Sequence, residues 1–456
     1  MNDKVIEYDF GIFKAYFNEE NSKSIFIPND LIKDKEQIFM VNDFFASCSL
    51  PKAGISIYIC INLTSMCNMK CKYCFNPSKK NESAKFTDII VFIENIVSKH
   101  PESTKFFIDL SGSGEPLLEM DKIIKIAKYS KELQNRIGKE VLVQFICNGT
   151  FLNAQNVKKL QENDVLFGIS LDGIKTYHDK NRIFPDGRGS FDVIMKNYLA
   201  IEHKDFIGVG MTYSCKDKPP LFDSYLFLDK NFNTLSCRIA RSEEMTNEEL
   251  DHLKNEYYKV AQYVIENLEK EDISFLKKMT NGDDYFGRYI IKVACEAYVN
   301  HRCDGGRERY SLGVDNKVYA CSAGVNIEDM ISDYHNPKKI VDKYERCSNC
   351  HIEHICGGEC IINLLKNIDN SNLCKLKIFL FEMSLQICGI MSIYYPDLYC
   401  DFVNHISDVI SRQQGDERLQ KLYSQLKNRI SFNKLKKIKD KKPLLFDLLF
   451  EKYVKR

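Results

Sequence analysis

Eighteen cysteines occur among the 456 residues, and eleven of them fall into clustered positions with ligand-like spacing. One group, Cys67, Cys71 and Cys74, has the spacing C-x3-C-x2-C. Three close thiolates can hold three irons of a [4Fe–4S] cluster and leave the fourth iron open for chemistry. A zinc knuckle or an all-cysteine ferredoxin cluster needs a fourth ligand, and no Cys or His follows within about ten residues of Cys74.

A second group of clustered cysteines lies further along the chain. Its members are Cys295, Cys303, Cys321, Cys347, Cys350, Cys356, Cys360 and Cys374. Such spacing in a chain without a secretory signal favours metal ligation over disulfides, because the cytosol keeps thiols reduced. A pair of zinc sites is the alternative that the spacing leaves open. Seven scattered cysteines are interpreted as small buried hydrophobic residues: Cys48, Cys60, Cys147, Cys215, Cys237, Cys388 and Cys400.

Charge and hydropathy exclude several partners. Lysine plus arginine (64) nearly balances aspartate plus glutamate (63), which argues against nucleic acid or an anionic membrane surface. The first residues lack the basic, apolar and small-residue regions of a secretory signal, so we expect a cytoplasmic protein. Glu382 and Gln386 interrupt the apolar stretch 378–395 and Pro396 ends it, which predicts a buried helix and no membrane span.

The elements that position the first cysteines alternate between short apolar runs and amphipathic stretches, the pattern of βα units around a parallel sheet. Predicted strands cover residues 55–63, 105–110, 141–146, 165–171, 207–213 and 234–240. Predicted helices between them cover residues 86–100, 119–133, 154–162 and 191–203. Six such units predict an α/β partial barrel with its chemistry at the C-terminal ends of the strands. Cys67 follows the first of these strands directly.

The sequence predicts five parts in the chain. They are an N-terminal segment (1–54), the partial barrel (55–245), a helical connector (246–294), a small cysteine-rich domain (295–380) and a helical C-terminal extension (381–456). The connector opens with a capping box at Thr246 and Glu249. Periodicity fades in the cysteine-rich part, as expected where metal ligation replaces a large apolar core.

Four strand ends carry polar or glycine-rich motifs in order. They are the first cysteine group, SGSGEP at residues 111–116, CNGT at residues 147–150 and ISLDG at residues 169–173, the last followed by Arg182. Together with Tyr73 before the third cysteine, this order resembles the radical S-adenosylmethionine (SAM) superfamily. The resemblance implies that the open iron binds SAM and that an electron cleaves SAM to a 5′-deoxyadenosyl radical, which abstracts a hydrogen atom.

The same resemblance implies roles for individual residues. Cys67, Cys71 and Cys74 are expected to be catalytic through the cluster. Residues expected around SAM are Tyr73, Gly112, Gly114, Glu115, Asn148, Ser170, Asp172 and Arg182. Ser170 and Arg182 match residues that bind SAM in this branch, the arginine at its carboxylate. The glycines would let the backbone approach a ligand closely, and the carboxylate of Glu115 would suit an ammonium group.

The downstream cysteines resemble the SPASM domain, the auxiliary-cluster module of peptide-modifying radical SAM enzymes. Asn316 stands where that module usually has glycine, a mild change because Asn tolerates the left-handed conformation. The module implies two more [4Fe–4S] clusters, three in all. The resemblance assigns Cys347, Cys350, Cys356 and Cys374 to the distal cluster. It assigns Cys303, Cys321 and Cys360 to the nearer one, with Cys295 as the candidate fourth ligand; without it, an open iron could hold a substrate thiolate.

The resemblance implies a maturase that forms a thioether in a ribosomally made, Cys-rich precursor peptide with a leader. A flavodoxin- or ferredoxin-type donor would supply the reducing electron, and the auxiliary clusters would remove the surplus one. Residues 1–54 would contact the leader as an added strand or cover the open edge of the barrel.

Two alternatives remain. An anaerobic sulfatase-maturing enzyme oxidises cysteine or serine to formylglycine, but such enzymes carry an aspartate where Ser322 follows Cys321, and serine is a poor base. A non-catalytic iron–sulfur electron carrier would leave the motifs at the strand ends without a purpose.

Overall fold

The computed structural model describes residues 4–29, 56–76, 80–216, 218–240, 243–281, 284–296, 305–325, 331–332, 347, 349–358 and 360–414. Within these residues the chain forms two sheets. The smaller sheet is antiparallel and contains β1 (Val5–Asp9), β2 (Phe13–Asn18) and β3 (Lys23–Pro28) in that order. The sequence predicts β-like runs at residues 5–10 and 24–28, and both form strands.

Six parallel strands of the larger sheet follow one another in chain order. They are β4 (Ser56–Ile61), β5 (Lys105–Asp109), β6 (Glu140–Cys147), β7 (Val165–Ser170), β8 (Gly208–Tyr213) and β9 (Cys237–Ile239). Amphipathic helices connect them: α1 (Phe86–Lys99), α2 (Met120–Ile137), α3 (Ala154–Glu162), α4 (Lys175–Asn181), α5 (Phe191–Leu199) and α6 (Leu221–Asn231). The α/β partial barrel predicted from six βα units is confirmed, and every predicted strand coincides with an observed one.

Three further strands join the sheet beside β4, and the sequence pattern does not predict them. They are β10 (Arg309–Leu312), β11 (Val318–Tyr319) and β12 (Ile331–Ser332). β10 runs parallel to β4, whereas β11 and β12 are antiparallel. Asn316 adopts a φ of +62° in the turn between β10 and β11, as expected from its tolerance of the left-handed conformation. The hairpin brings Cys321, two residues after β11, to the edge of the barrel sheet.

Helices form most of the described chain after the barrel. They are α7 (Asn247–Glu269), α8 (Ser274–Asn281), α9 (Gly287–Ala294), α10 (Glu353–Cys356), α11 (Ile361–Leu365), α12 (Ser371–Tyr394) and α13 (Pro396–Gln414). The predicted capping box of α7 is present, with Thr246 and Glu249 bonded reciprocally. One described helix, α12, is long and apolar enough to cross a membrane, but 83% of its apolar window is buried inside the protein. The predicted buried helix is confirmed, and Pro396 begins the next helix.

The small sheet packs on α12. The rings of Tyr8 and Phe17 contact the ring of Phe381, with centroids 6.0 and 4.9 Å apart. The ring of Phe13 lies so close to Gly389 that a Cβ there would be 2.4 Å from it. The N-terminal strands therefore share an aromatic core with the C-terminal helix.

Candidate functional site

The cysteine loop, residues 67–74, lies at the C-terminal end of β4 and pairs with the segment that follows α4. The backbone N–H groups of Lys70 and Lys72 donate to the carbonyl oxygens of Ile183 and Asn181, at 2.7 and 2.9 Å. This pairing places the loop beside Arg182, which is distant in sequence. The fold thus brings together two parts of the predicted site.

The three thiols of the cysteine loop are neighbours. Burial raises the pKa of the Cys71 thiol to about 11, with the positive charge of Arg182 opposing the shift and the Cys74 and Cys67 thiols adding to it. Among the described residues, no group of three or more Cys, His, Asp or Glu side chains is arranged closely enough to bind a metal ion. The donor set, three thiols on one loop, nevertheless suits three irons of a [4Fe–4S] cluster.

Gly112 and Gly114 allow the SGSGEP loop to pack closely against residues 62–66, which lead from β4 into the cysteine loop. A Cβ at Gly114 would lie 2.4 Å from the carbonyl oxygens of both Thr64 and Met66, and one at Gly112 would lie 2.5 Å from Oδ1 of Asn62. The sequence pattern predicts close approach of a ligand at these glycines. The close approach seen in the structure is between two segments of the protein.

Glu115 joins the ends of two strands. Its side chain is 2% exposed; Oε1 accepts from the Leu117 N–H at 3.1 Å and Oε2 accepts from the Asn148 N–H at 2.7 Å. Burial raises the pKa of Glu115 to about 7, although both N–H groups favour the charged form. The observed partners of this carboxylate are backbone groups, and contact with an ammonium group remains a prediction.

Asn148 reaches the cysteine loop from the end of β6. Its Nδ2 donates to Oδ1 of Asn68 at 2.7 Å and lies 3.9 Å from the Sγ of Cys67. Its Oδ1 accepts from the Thr150 N–H at 2.9 Å, which fixes the amide orientation. The predicted site residue Asn148 therefore lies beside one of the three candidate cluster thiols.

Asp172 and Arg182 form a buried ion pair beside Tyr73. The Nε of Arg182 lies 3.0 Å from Oδ1 of Asp172, and the Tyr73 hydroxyl donates to Oδ2. The guanidinium carbon of Arg182 lies 5.4 Å from the ring centroid of Tyr73. Ser170, the last residue of β7, is partly exposed and pairs in register with Gly210 of β8.

His178 was not among the predicted site residues, although it is bonded to the same group. Its Nδ1 accepts from the Asp172 N–H at 3.1 Å, and its Nε2 lies 2.9 Å from the Ser190 hydroxyl. Burial lowers the pKa of His178 to about 2, with Arg182 acting in the same direction, so the ring is neutral. The only signal in the sequence is its position between Asp172 and Arg182.

The downstream cysteines separate into two packing environments. Cys321 and Cys360 pack against one small core that contains Tyr319 and Ile362. Burial raises the pKa of Cys350, and the charges of Cys356 and Cys347 add to the shift, so these three thiols are neighbours. Cys374 occupies the first turn of α12. Cys303 lies outside the described residues.

Cys295 directly follows α9 and packs against the main hydrophobic core, as Cys350 and Cys356 also do. Burial raises the pKa of its thiol to about 12. The charge of Cys295 acts on Cys388 of α12 and on Tyr399 of α13, which places it near those helices. Of the seven scattered cysteines, five are buried as predicted, Cys400 is partly buried, and Cys48 lies outside the described residues.

Residues 61–213 match the model of the Radical SAM superfamily. This range begins at the last residue of β4, includes the cysteine loop and Arg182, and ends with β8. Residues 61–213 therefore form a radical SAM domain, which belongs to a class of enzymes that uses SAM and a [4Fe–4S] cluster. Because this domain belongs to a class of enzymes, the alternative of a non-catalytic iron–sulfur electron carrier is rejected.

Proteins similar to this chain include both uncharacterized and characterised members. An uncharacterized protein of Methanocaldococcus jannaschii is 26% identical over 265 residues, which are 54% of this chain and 89% of that protein. A cysteine-type anaerobic sulfatase-maturating enzyme of Clostridium novyi is 30% identical over 142 residues, which are 29% of this chain and 37% of that enzyme.

Among solved structures, native anSMEcpe with bound AdoMet (SAM) has 17% sequence identity and a TM-score of 0.56, covering 74% of this chain and 99% of that chain. The same protein with bound AdoMet and Kp18Cys peptide has a TM-score of 0.55 at 17% identity, covering 76% and 99%. This structural similarity supports the assignment of the fold as a partial barrel followed by a C-terminal region.

Proposed function

We propose that this chain is a peptide maturase that joins a cysteine sulfur to a carbon atom within a ribosomally made, Cys-rich precursor peptide. The choice of reaction rests on the residues that directly follow Cys321. The turn Ser322–Gly324 consists of Ser, Ala and Gly and contains no carboxylate. A base that takes a proton from the substrate must lie within hydrogen-bond reach, so this turn does not suit formylglycine formation.

Two observations support a peptide substrate. The fold resembles that of anSMEcpe, which has been solved with a bound Kp18Cys peptide. The downstream cysteines also have the spacing of the SPASM module, and Cys321 and Cys360, which that module places on one cluster, pack against the same small core. A cytoplasmic location, the five-part division of the chain and a flavodoxin- or ferredoxin-type electron donor complete the proposal.

The cofactor assignment follows the residues described above. Cys67, Cys71 and Cys74 would hold the SAM-binding cluster, which together with SAM supplies a hydrogen-abstracting radical. The distal auxiliary cluster would take Cys347, Cys350, Cys356 and Cys374. The nearer one would take Cys303, Cys321 and Cys360, while the packing of Cys295 against α12 and α13 favours a structural role for that thiol.

The proposed reaction is a net oxidation of the peptide. The acceptor carbon loses one hydrogen atom, the substrate thiol loses one proton, and one further electron leaves as the carbon–sulfur bond forms. The auxiliary clusters give that electron a path out, which a pair of zinc sites could not provide because zinc has no redox chemistry.

The small N-terminal sheet is the proposed contact for the leader of the precursor. Among the described residues, β1 is an edge strand of this sheet, with β2 on its inner side. An edge strand exposes backbone donors and acceptors that a peptide can pair with as an added strand.

Mass spectrometry of a Cys-rich peptide encoded beside this gene tests the function. After reaction with the reduced, reconstituted enzyme and SAM, we expect the loss of two hydrogens per crosslink and fewer alkylatable thiols. An unchanged peptide, together with conversion of a sulfatase cysteine to formylglycine, would overturn the proposal.

Sulfatase maturation is the second candidate. It is favoured by the similarity to the Clostridium novyi enzyme, which reaches 30% identity over 142 residues. The same assay with a sulfatase-derived cysteine peptide distinguishes the two reactions, because formylglycine contains an aldehyde that reacts with a hydrazide probe and a thioether does not.

A further inference from the structure

A single buried carboxylate connects three elements beside Arg182. Asp172 is fully buried, and its Oδ1 lies 3.0 Å from the Nε of Arg182 and accepts from the Thr212 N–H at 2.9 Å. Its Oδ2 accepts from the hydroxyl of Tyr73, which lies within the cysteine loop. The carboxylate thus connects the cysteine loop, the segment after α4 and strand β8.

Hydrogen bonds that involve the backbone hold the same two residues in place. The Nδ1 of His178 accepts from the Asp172 N–H, so in the neutral ring the proton must lie on Nε2. The Nε2–H then donates to the hydroxyl of Ser190, at 2.9 Å. That hydroxyl donates to the carbonyl oxygen of Arg182, also at 2.9 Å. Each donor in this series of three hydrogen bonds has one acceptor. The series therefore holds the backbone of Asp172 at a defined distance from that of Arg182.

The position of the buried, positively charged Arg182 side chain depends on the negative charge of Asp172. The Arg182 side chain is 9% exposed and its guanidinium stacks on the ring of Tyr73. A buried guanidinium without its partner carries a large desolvation cost and moves toward any other anion or water. Asp172 therefore sets both the orientation of Arg182 and the position of the Tyr73 hydroxyl.

We propose that Asp172 is a positioning residue that couples the cysteine loop to the SAM-binding arginine, and that it does not itself contact SAM. Both of its oxygens have partners within the protein, and the proposal gives Asp172 this role in place of the direct SAM contact that the resemblance implies. The inference rests on the proposed contact between Arg182 and SAM and is independent of the peptide and of the bond formed.

The test uses the full-length enzyme, reconstituted with iron and sulfide, and SAM alone as ligand. The variants are Asp172→Asn, Tyr73→Phe and the double variant, and Tyr129→Phe serves as a control because that hydroxyl donates to Glu94, away from the cysteine loop. Equilibrium titration gives the Kd for SAM. The EPR spectrum of the reduced cluster, recorded with and without SAM, reports on the SAM–cluster contact.

We expect Asp172→Asn to raise the Kd about tenfold and Tyr73→Phe about threefold, within the usual range of coupling between residues in one network. The double variant should be no weaker than Asp172→Asn, because both substitutions break the same connection. The SAM-induced change in the EPR spectrum should shrink in both single variants and stay intact in Tyr129→Phe. Additive losses, or an unchanged Kd and EPR response, would overturn the inference.

A merely structural role would lower the unfolding temperature without changing the Kd for SAM, and that result would also overturn it. If Asp172→Asn does not fold, Tyr73→Phe decides the question, because it removes one hydroxyl group. The variant Arg182→Lys distinguishes failure of the positioning role of Asp172 from failure of the proposed contact between Arg182 and SAM. If it weakens SAM binding while Asp172→Asn does not, only the positioning role fails; if Arg182→Lys has no effect, the proposed SAM contact fails as well.

Discussion

Gly114→Ala should displace the segment that leads into the cysteine loop by a calculable distance. A Cβ at this position would lie 2.4 Å from two backbone oxygens, those of Thr64 and Met66, whereas ordinary van der Waals contact begins at 3.4 Å. The segment that contains Thr64 and Met66 must therefore move by about 1 Å, since backbone atoms cannot rotate away as side chains do. Overpacking of this kind costs about 1–3 kcal/mol of folding free energy.

Cys67 directly follows Met66, so the displacement acts on the loop that carries the proposed cluster ligands Cys67, Cys71 and Cys74. A misplacement of about 1 Å can reduce the rate of a reaction that depends on alignment about 100-fold. We expect Gly114→Ala to retain most of its iron but to form 5′-deoxyadenosine about 100-fold more slowly, measured by chromatography after reduction in the presence of SAM.

Gly210→Ala is the matched control. A Cβ there would meet its nearest atoms at 3.7 and 3.9 Å, which is ordinary contact. The control should cleave SAM at close to the rate of the unsubstituted enzyme. If Gly114→Ala also cleaves SAM at that rate, the loop does not depend on the close approach of the SGSGEP loop and the reasoning is wrong.

Three further predictions concern the cysteines and His178. Replacing the three thiols of the cysteine loop by alanine should reduce the iron content from about twelve to about eight per chain and abolish SAM cleavage, because two four-iron clusters would remain; iron assay and chromatography check this. Cys295→Ala should keep its iron while Cys360→Ala loses part of it, and equal losses would show that Cys295 is a ligand. His178→Gln should remove an acid sensitivity: the pKa of this ring is about 2 in the folded protein against an ordinary value of 6.5, so the stability present above pH 6.5 is lost as pH falls. The unsubstituted protein should lose about 2 kcal/mol relative to the variant between pH 7 and pH 5 in chemical unfolding, and parallel pH profiles would contradict the neutral ring.

The barrel could be predicted from sequence because each βα unit combines a short apolar run with an amphipathic helix. The helix Ala154–Glu162, for example, has the predicted bounds. The strands Val318–Tyr319 and Ile331–Ser332 could not be predicted, because two residues are too few to show a period of two. Their pairing depends on a neighbouring strand that is distant in sequence.

The candidate site likewise has some features that the sequence reveals and others that it does not. The cysteine spacing is local, so the loop and its three thiols are visible in the sequence. The contact of Tyr73 with Asp172 joins residues 99 positions apart, and no local pattern reveals it. Glu115 shows a further limit, because its residue type indicates a charged partner whereas the fold supplies two backbone N–H groups.

The central claim is that this radical SAM enzyme forms a thioether in a peptide, and the most direct test is the mass of its own precursor peptide after turnover. Tandem mass spectrometry should show two hydrogens lost per crosslink and a bond from a cysteine sulfur to a carbon of another residue. A peptide of unchanged mass, or an aldehyde in place of a cysteine side chain, would contradict the account.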